Sequence, residues 1–560
     1  MVTTRSSGIK PTTSVFLENV SWKRTGKRKK PTTSKEHVEP LPSLLQDVQL
    51  YTQGLEEKAP SLLLSPQQTK VSLSLWDAFE ISNVASFSSS ESEDLSKLYL
   101  CYTGGEVWAC DTLRVHSKLY LALSAYRKDS LLHSIYEKYS NPGLIQVWEL
   151  DICNFDKPVC ILCIGHQGDF CRQLRWLPVG ESVQNNNQSI LGFLLGCFGD
   201  GTLKVLRVKY DAGWKQKHPD LPIFVPSDVI FSFSCPSNAN LVVTECSPDG
   251  RWIIGGDTKG TLHLWNIKES QNNAFIDQQQ SNHIYYQSFP AHQVTIRSLA
   301  TPRTLSESSC IHFSSKNSSV AANELVASGS MDGCVRIWML HYPYRPLLEY
   351  RLGQSWIYQL EWHSTKELVA ALDDGSVRLL PIEDAEKSTR VLALHQGACW
   401  CVSVSESRNK PYLSISSGGE NGEWIYINDS YLTYRKSKKH SCHPRRLAKL
   451  EVYSDKLDEK GNEKKTSSVS MDDNPIRYSL STFICPHNHN IPETAQYMQR
   501  PLSNCVFFPP SIAFHRVFHH FLAKEEDLQD TQSYPMILGA TFGNGWLLIG
   551  AMSSWLVEQL

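Results

Sequence analysis

A short pattern that recurs seven times constrains the fold of this 560-residue chain more than any other feature. Each copy starts with glycine, and the second and fourth of the five residues that follow are apolar or aromatic. The copies begin at Gly143, Gly201, Gly260, Gly333, Gly375, Gly422 and Gly545. Alternation with a period of two predicts a strand with one buried face. Asp or Asn precedes five of the glycines, and such dipeptides provide the positive φ angles of two-residue hairpin turns, so we predict that each glycine closes a hairpin.

Further apolar segments surround each copy of the pattern. One precedes the glycine, a second lies further upstream, and a third follows most copies, as in 119–126, 106–113 and 158–166. Four strands in each of seven units is the arrangement of a β-propeller. The predicted fold is therefore all-β: a seven-bladed WD40-type β-propeller with polar insertions.

The domain prediction follows from this repeat. We expect a disordered basic N-terminal region at 1–69 and the propeller at 70–560, with a long insertion at about 430–510. A propeller needs its edge strands covered, and the last unit lacks a fourth strand of its own. We expect the N-terminal segment 71–80 to supply that strand and close the ring.

Histidine and tryptophan residues recur at fixed places in the units. Trp148, Trp265 and Trp338 end the glycine-led strands, and histidines stand just before upstream strands at His166, His292 and His395. Positions that are tied to a repeat serve the packing of each unit. We therefore interpret them as structural residues, not as catalytic ones.

The charge balance, the apolar runs and the cysteine content indicate which class of protein to expect. There are 55 Lys and Arg against 57 Asp and Glu, and neither a signal peptide nor an apolar run of membrane-spanning length stands out. Sixteen cysteines in such a chain favour reduced thiols in an intracellular compartment over a disulfide framework.

The sequence does not contain the motifs of common enzymes and cofactor sites that we searched for. The nearest approach to a phosphate-binding loop, 196–202, lacks the lysine, and neither HExxH nor GxSxG occurs. We predict no enzyme activity, no cofactor and no metal. Zinc-type ligands do occur in the insertion at Cys442, His443, Cys485, His487, His489 and Cys505, but without the paired spacing of a zinc finger.

Two basic clusters are candidates for contacts with acidic partners. The first, in a Ser/Thr/Pro-rich segment, suggests nuclear import and comprises Lys23, Arg24, Lys27, Arg28, Lys29 and Lys30. The second, at the start of the long insertion, suggests contact with nucleic acid or an acidic partner and comprises Arg435, Lys436, Lys438, Lys439, Arg445, Arg446 and Lys449. A solvated run of charge is the alternative interpretation of both.

A more specific resemblance covers residues 100–210. The segments GGEVWACDTLRVHSKLYLALSAYR (104–127), NPGLIQVWELD (141–151), CIGHQGDFCRQLRWLPVG (163–180) and ILGFLLGCFGDGTLKVLRV (190–208) follow one another in this order. Together they resemble the general transcription factor 3C polypeptide 2 family, which provides the WD40 subunit of transcription factor IIIC.

This resemblance implies a scaffold role in a nuclear, multisubunit complex. The family takes part in B-box promoter binding at transfer RNA genes and in recruitment of the RNA polymerase III initiation factor. The implied partners are the other transcription factor IIIC subunits and promoter DNA, reached mainly through the complex, with no membrane. Another nuclear WD40 adaptor, such as a chromatin reader or a ubiquitin-ligase substrate receptor, is the alternative, and a propeller enzyme is the third possibility.

Overall fold

Antiparallel sheets make up nearly all of the regular structure in a computed structural model of the chain. The structure describes residues 48–65, 69–81, 97–126, 133–152, 155–178, 190–210, 222–267, 285–302, 310–313, 318–364, 366–383, 388–404, 414–428, 444–452, 478–482, 513–521 and 536–552. Before the repeats come one short helix and four strands: α1 (Val48–Thr52), β1 (Leu62–Ser65), β2 (Thr69–Val71), β3 (Ala78–Glu80) and β4 (Leu98–Tyr102).

The repeats then fold into successive sheets, called here blades 1 to 7. Blade 1 contains β5 (Val107–Val115), β6 (Lys118–Ala125), β7 (Pro142–Asp151) and β8 (Val159–Gln167). Blade 2 contains β9 (Cys171–Trp176), β10 (Ile190–Phe198) and β11 (Leu203–Lys209); next along the chain, β12 (Ile223–Pro226) adds to the edge of blade 1, and β13 (Asp228–Phe233) completes blade 2. Blade 3 contains β14 (Leu241–Cys246), β15 (Trp252–Asp257), β16 (Thr261–Asn266) and β17 (Tyr285–Pro290).

The second half of the chain continues the series. Blade 4 contains β18 (Ile296–Ala300), β21 (Leu325–Ser330), β22 (Cys334–Met339) and β23 (Leu348–Arg351). Between β18 and β21 the chain forms a separate hairpin, β19 (Cys310–Phe313) and β20 (Ser318–Ala321), and a 3-10 turn (Ala322–Glu324). Blade 5 contains β24 (Ile357–Trp362), β25 (Glu367–Leu372), β26 (Ser376–Pro381) and β27 (Arg390–Leu394). Blade 6 contains β28 (Cys399–Val404), β29 (Ser414–Gly419), β30 (Glu423–Asn428), β31 (Arg445–Val452) and β32 (Tyr478–Thr482). Blade 7 contains β33 (Phe514–Phe521), β34 (Met536–Phe542) and β35 (Trp546–Met552).

The first strand of each blade lies on the inside of a ring. Contacts between the blades link β5 to β9, β9 to β14, β14 to β18, β18 to β24, β24 to β28, β28 to β33, and β33 back to β5. A closed circuit of inner strands, each starting a sheet of four or more strands, is a β-propeller. The predicted fold class is confirmed.

The glycines of the repeat act as predicted in six units and differently in the first. Six of them have φ between +74° and +85° at the turn between the second and third strands of a blade, a region that favours glycine. Gly143 instead lies inside β7. A Cβ atom at that position would come within 1.9 Å of the Asp169 carbonyl oxygen, so glycine is required there for close packing and not for a turn.

Blade 7 is completed by a different N-terminal segment from the one predicted. β35 pairs with β4, Leu98–Tyr102, in the antiparallel register Trp546↔Tyr102. The predicted segment, 71–80, contributes only its last residues, as β3 on the outer side of β4. All five side chains of β4 are buried. Polar residues alternate with apolar ones in 71–80, so this segment could not bury every side chain next to β35, and β4 takes that position instead.

The long insertion also contains sheet structure. β31 is the fourth strand of blade 6, and β32 pairs with it; β1 then adds in parallel to β32. Part of the segment predicted as a loop at about 430–510 therefore extends a blade.

Apolar clusters between neighbouring blades hold the ring together. The repeat tryptophans Trp148, Trp265 and Trp338 are at most 5% exposed. Trp148 packs in a cluster with residues of blade 7, Trp265 with residues of blade 2, and Trp338 with residues of blade 3. Each tryptophan thus contacts the preceding blade, which supports its structural interpretation.

Candidate functional site

A β-bulge occurs at the second residue of every inner strand. At this residue the register between the first and second strands of the blade shifts, so that one inner-strand residue has no cross-strand partner. These residues, one from each blade and called here the bulge ring, are Trp108, Arg172, Val242, Arg297, Tyr358, Trp400 and His515. Bulges redirect side chains and are frequent beside binding sites. The seven equivalent bulges place these residues at one level inside the propeller.

Aromatic side chains form one arc of the bulge ring. The ring centroids of Tyr358 and Trp400 are 4.4 Å apart, and those of Trp400 and Trp108 are 5.4 Å apart. The Trp108 ring stacks on His515 with a centroid distance of 3.8 Å. Blades 5, 6, 7 and 1 thereby supply a continuous wall of aromatic rings.

Guanidinium groups occupy two of the other three positions, and Val242 occupies the third. The Arg297 guanidinium carbon lies 5.5 Å from the centre of the Tyr358 ring, and Arg172 Nη2 donates to the Ser134 carbonyl oxygen at 3.1 Å. Arg516, next to the ring, donates from Nε to the Trp108 carbonyl oxygen at 2.7 Å. Within the described ranges, no carboxylate pairs with any of these three arginines.

The electrostatic environment of these arginines is unfavourable to their charges. Burial lowers the pKa of Arg297 below its ordinary value, and the positive charges of Arg172 and Arg516 lower this pKa further. Burial likewise lowers the pKa of Arg516, with a contribution from Arg175. The bulge ring is therefore a concentration of positive charge that its protein neighbours do not neutralise.

Three residues further along the inner strands, the charge changes sign. Arg175 Nε donates to Glu245 Oε2 at 2.9 Å, and its other nitrogens lie 3.6 Å from Glu361 Oε1 and 4.0 Å from Asp111 Oδ1. One guanidinium thus joins carboxylates from three other blades. This acidic layer, Asp111, Glu245 and Glu361 around Arg175, leaves negative charge in excess beneath the positive bulge ring.

The repeat histidines make hydrogen bonds within the blades. In blade 4, Trp338 Nε1 donates to Ser328 Oγ at 2.8 Å, and His292 Nε2 lies 2.7 Å from the same oxygen. His292 Nδ1 lies 3.1 Å from Asp332 Oδ2. Because a carboxylate can only accept, His292 Nδ1 is the donor in this contact. His395 similarly contacts Ser417 Oγ at 3.0 Å in blade 6. These bonds support the structural interpretation of the histidines.

Blade 3 has a different polar cluster, made of metal-ligand residue types. The thiol of Cys235, a carboxylate oxygen of Asp257 and a ring nitrogen of His263 lie within 4.8 Å of one another, and all three residues are buried. They also bond to each other: His263 Nε2 is 3.1 Å and Cys235 Sγ is 3.5 Å from Asp257 Oδ2. A structural zinc site requires four ligands, whereas this cluster provides three that already satisfy one another. We assign it to hydrogen bonding.

The predicted basic contact residues lie partly outside the described residues. Arg435, Lys436, Lys438 and Lys439 are there, as are the six candidates for nuclear import and the cysteines and histidines of the insertion. Arg445, Arg446 and Lys449 are in β31. Arg446 Nη2 donates to Glu423 Oε1 at 2.5 Å, with the two side chains 13% and 9% exposed, and Lys449 pairs with Glu451. A contact of this cluster with an acidic partner stays a prediction.

Comparison with known families agrees with the repeat analysis. The family "WD domain, G-beta repeat" matches residues 228–266 and 285–339. The chain carries WD40 repeats. The matched residues correspond to most of blades 3 and 4, where Trp265 and Trp338 end the glycine-led strands. Propellers of WD40 repeats are typically non-catalytic scaffolds for protein–protein interaction.

No curated protein matches the chain. Within the part of the chain that the structure describes, no helix combines the length and the hydropathy needed to cross a bilayer.

Proposed function

We propose that this WD40 propeller is a nuclear, non-catalytic scaffold subunit of the RNA polymerase III general transcription factor IIIC. In this role it supports B-box promoter binding at transfer RNA genes and recruitment of the initiation factor. Its partners are the other subunits of that factor, and promoter DNA is reached mainly through the complex.

One observation carries this proposal: the ordered series of segments between residues 104 and 208 that resembles the general transcription factor 3C polypeptide 2 family. In the structure these segments contain β5, β6, β7, β9 and β10, the second half of β8 and nearly all of β11. They belong to four strands of blade 1 and three of blade 2. The resemblance is therefore to the strands of two neighbouring blades rather than to scattered turns.

The physical properties of the propeller suit such a role. A closed ring of sheets is rigid and offers several faces to different partners at once. Exposed aromatic side chains on such faces are frequent anchors of protein interfaces. Tyr136, between β6 and β7, is 64% exposed and lies between two of the resembling segments.

Affinity purification of the tagged full-length chain from nuclear extract, followed by mass spectrometry, tests the proposal. We expect the other transcription factor IIIC subunits, together with transfer RNA gene DNA. Recovery of a cullin, a histone or another chromatin assembly without those subunits contradicts the proposal and favours a different nuclear adaptor.

A pair of matched variants locates the interface. Tyr136→Ser lies within the resembling region, and Tyr342→Ser, 69% exposed on the connection between β22 and β23, is the control. We expect at least a severalfold loss of subunit recovery for the first variant only. Equal losses would place the interface elsewhere.

A further inference from the structure

Hydrogen-bond donors of the bulge ring lack acceptors. Trp400 Nε1 and Arg172 Nε are buried and have no hydrogen-bond partner among the described residues. The contact of the Arg297 guanidinium there is with the face of the Tyr358 ring. Buried polar groups in folded proteins are nearly always satisfied, so each exception calls for an explanation. Both of these nitrogens are donors, and they come from blades 6 and 2; His515 Nδ1, in blade 7, is a third buried nitrogen of the bulge ring that has no partner among the described residues.

The charges near these donors add to the same requirement. Arg172 and Arg516 repel the charge of Arg297, and among the described residues the carboxylates of the acidic layer contact Arg175 rather than these three arginines. An anion at the level of the bulge ring would accept from the free donors and neutralise this repulsion.

We propose that the bulge ring binds a phosphate group, with Arg172 and Arg297 donating to its oxygens and Trp400 donating from its indole nitrogen. A phosphate offers acceptor oxygens in several directions and a charge of about −2 near neutral pH, which suits donors that come from different blades. A carboxylate offers two oxygens in one plane and a single charge. The aromatic arc of Tyr358, Trp400 and Trp108 would contact the group that carries the phosphate.

This site does not depend on membership of transcription factor IIIC. The phosphate could be that of a small polyphosphate or that of a phosphorylated side chain on a partner protein. Both share the chemistry that the bulge ring recognises.

Isothermal titration calorimetry of the full-length chain with pyrophosphate and with inositol hexakisphosphate tests the proposal. We expect saturable binding that weakens at least tenfold in Arg297→Gln and in Arg172→Gln. Arg351→Gln is the matched control, because it removes the same charge from a side chain that is 79% exposed and paired with Glu349 on β23. Absence of binding to the unmodified chain, or equal weakening by Arg351→Gln, overturns the proposal.

Stability without phosphate separates a ligand-binding arginine from a structural one. Removing one of several mutually repelling charges that lack carboxylate partners should leave the urea midpoint of Arg297→Gln equal to or above that of the unmodified chain. A structural arginine would lower the midpoint when removed. A clearly lower midpoint together with unchanged affinity for pyrophosphate therefore overturns the proposal.

A competition experiment distinguishes the two sources of phosphate. Bound inositol hexakisphosphate is challenged with a mixture of phosphoserine peptides and with the same peptides after phosphatase treatment. Displacement only by the phosphorylated mixture indicates a partner protein, and failure of both mixtures indicates a small polyphosphate. Equal displacement by the dephosphorylated mixture contradicts recognition of phosphate.

Discussion

Replacing Asp332 by asparagine should make the stability of the propeller depend differently on pH. Asp332 Oδ1 accepts from the Cys334 N–H at 2.9 Å, and Oδ2 lies 3.1 Å from His292 Nδ1. Burial acts to raise the pKa of this carboxyl, but the hydrogen bond and the charge of His292 outweigh burial, and the pKa falls from 3.8 to about 2. Asparagine keeps an oxygen for Cys334 and loses the charge that faces His292.

The size of the effect follows from this pKa. At about 1.4 kcal/mol per pH unit, the lower pKa in the folded state corresponds to about 2 kcal/mol of stability. Because folding lowers the pKa, this stabilisation is complete above pH 3.8, the ordinary value, and is lost as the pH falls through about 2. Asp332→Asn should therefore cost about 2 kcal/mol near pH 7, and the difference should shrink below about pH 4.

Urea titration of both chains between pH 7 and pH 3 measures this difference. Asp228→Asn is the control, because its carboxylate is 34% exposed and lies 3.8 Å from its cationic neighbours Arg207 and Lys209. An exposed pair of this kind contributes less than about 1 kcal/mol. A loss for Asp332→Asn that is the same at every pH, or no larger than that of the control, would refute the reasoning.

Three other tests, each with its own variants, have distinct expected outcomes. Arg175→Met should lower the free energy of unfolding by about 3–5 kcal/mol, because it leaves Glu245 buried without its cation. Arg207→Met is the control: the Arg207 side chain is equally buried but is paired with a partly exposed acid, so its loss should cost less than about 1 kcal/mol. Urea titration measures both differences. Replacing by serine all seven basic residues predicted to contact an acidic partner should weaken DNA binding and flatten its dependence on salt concentration. If fluorescence anisotropy shows an unchanged salt dependence, the phosphate contacts are contradicted. Arg446→Ser alone should instead lower the stability of the fold, because the charge of Arg446 is paired within blade 6. Leu100→Ala in β4 should cost about 2–5 kcal/mol in a thermal or urea unfolding experiment, since the side chain is fully buried where the ring closes.

The repeat predicts the fold well because its signals are local. Alternation of apolar residues and a turn dipeptide act within about ten residues, and six of the seven glycines occupy the predicted turns. Gly143 is the exception: glycine is required there because the backbone of Asp169, which follows β8, lies too close for a side chain. That contact is not visible in the spacing of the repeat.

Long-range pairing explains what the sequence does not predict. The segments 71–80 and 98–102 both have the composition of strands, and only the packing against β35 selects the second. β31 is basic enough to be interpreted as an exposed loop, yet Arg446 is neutralised by Glu423 across the sheet.

The sequence does not predict the bulge ring, for a similar reason. Its members differ in residue type, from Val242 to Trp400, so no motif unites them; they share only the second position of an inner strand. The signal that could have found them is positional: aligning the seven inner strands would have shown two arginines and three large aromatic residues in one column.

Ring closure by β4 has a consequence for synthesis of the chain. Trp546, the partner of Tyr102, leaves the ribosome about 440 residues later, which at about 5–20 residues per second is about 20–90 s. During that interval the apolar segment LYLCY of β4 lacks the strand that covers it. The nascent chain therefore presents a β-strand edge suited to chaperone binding or to premature aggregation, and translation that stops before β35 yields a product in which this edge is never covered.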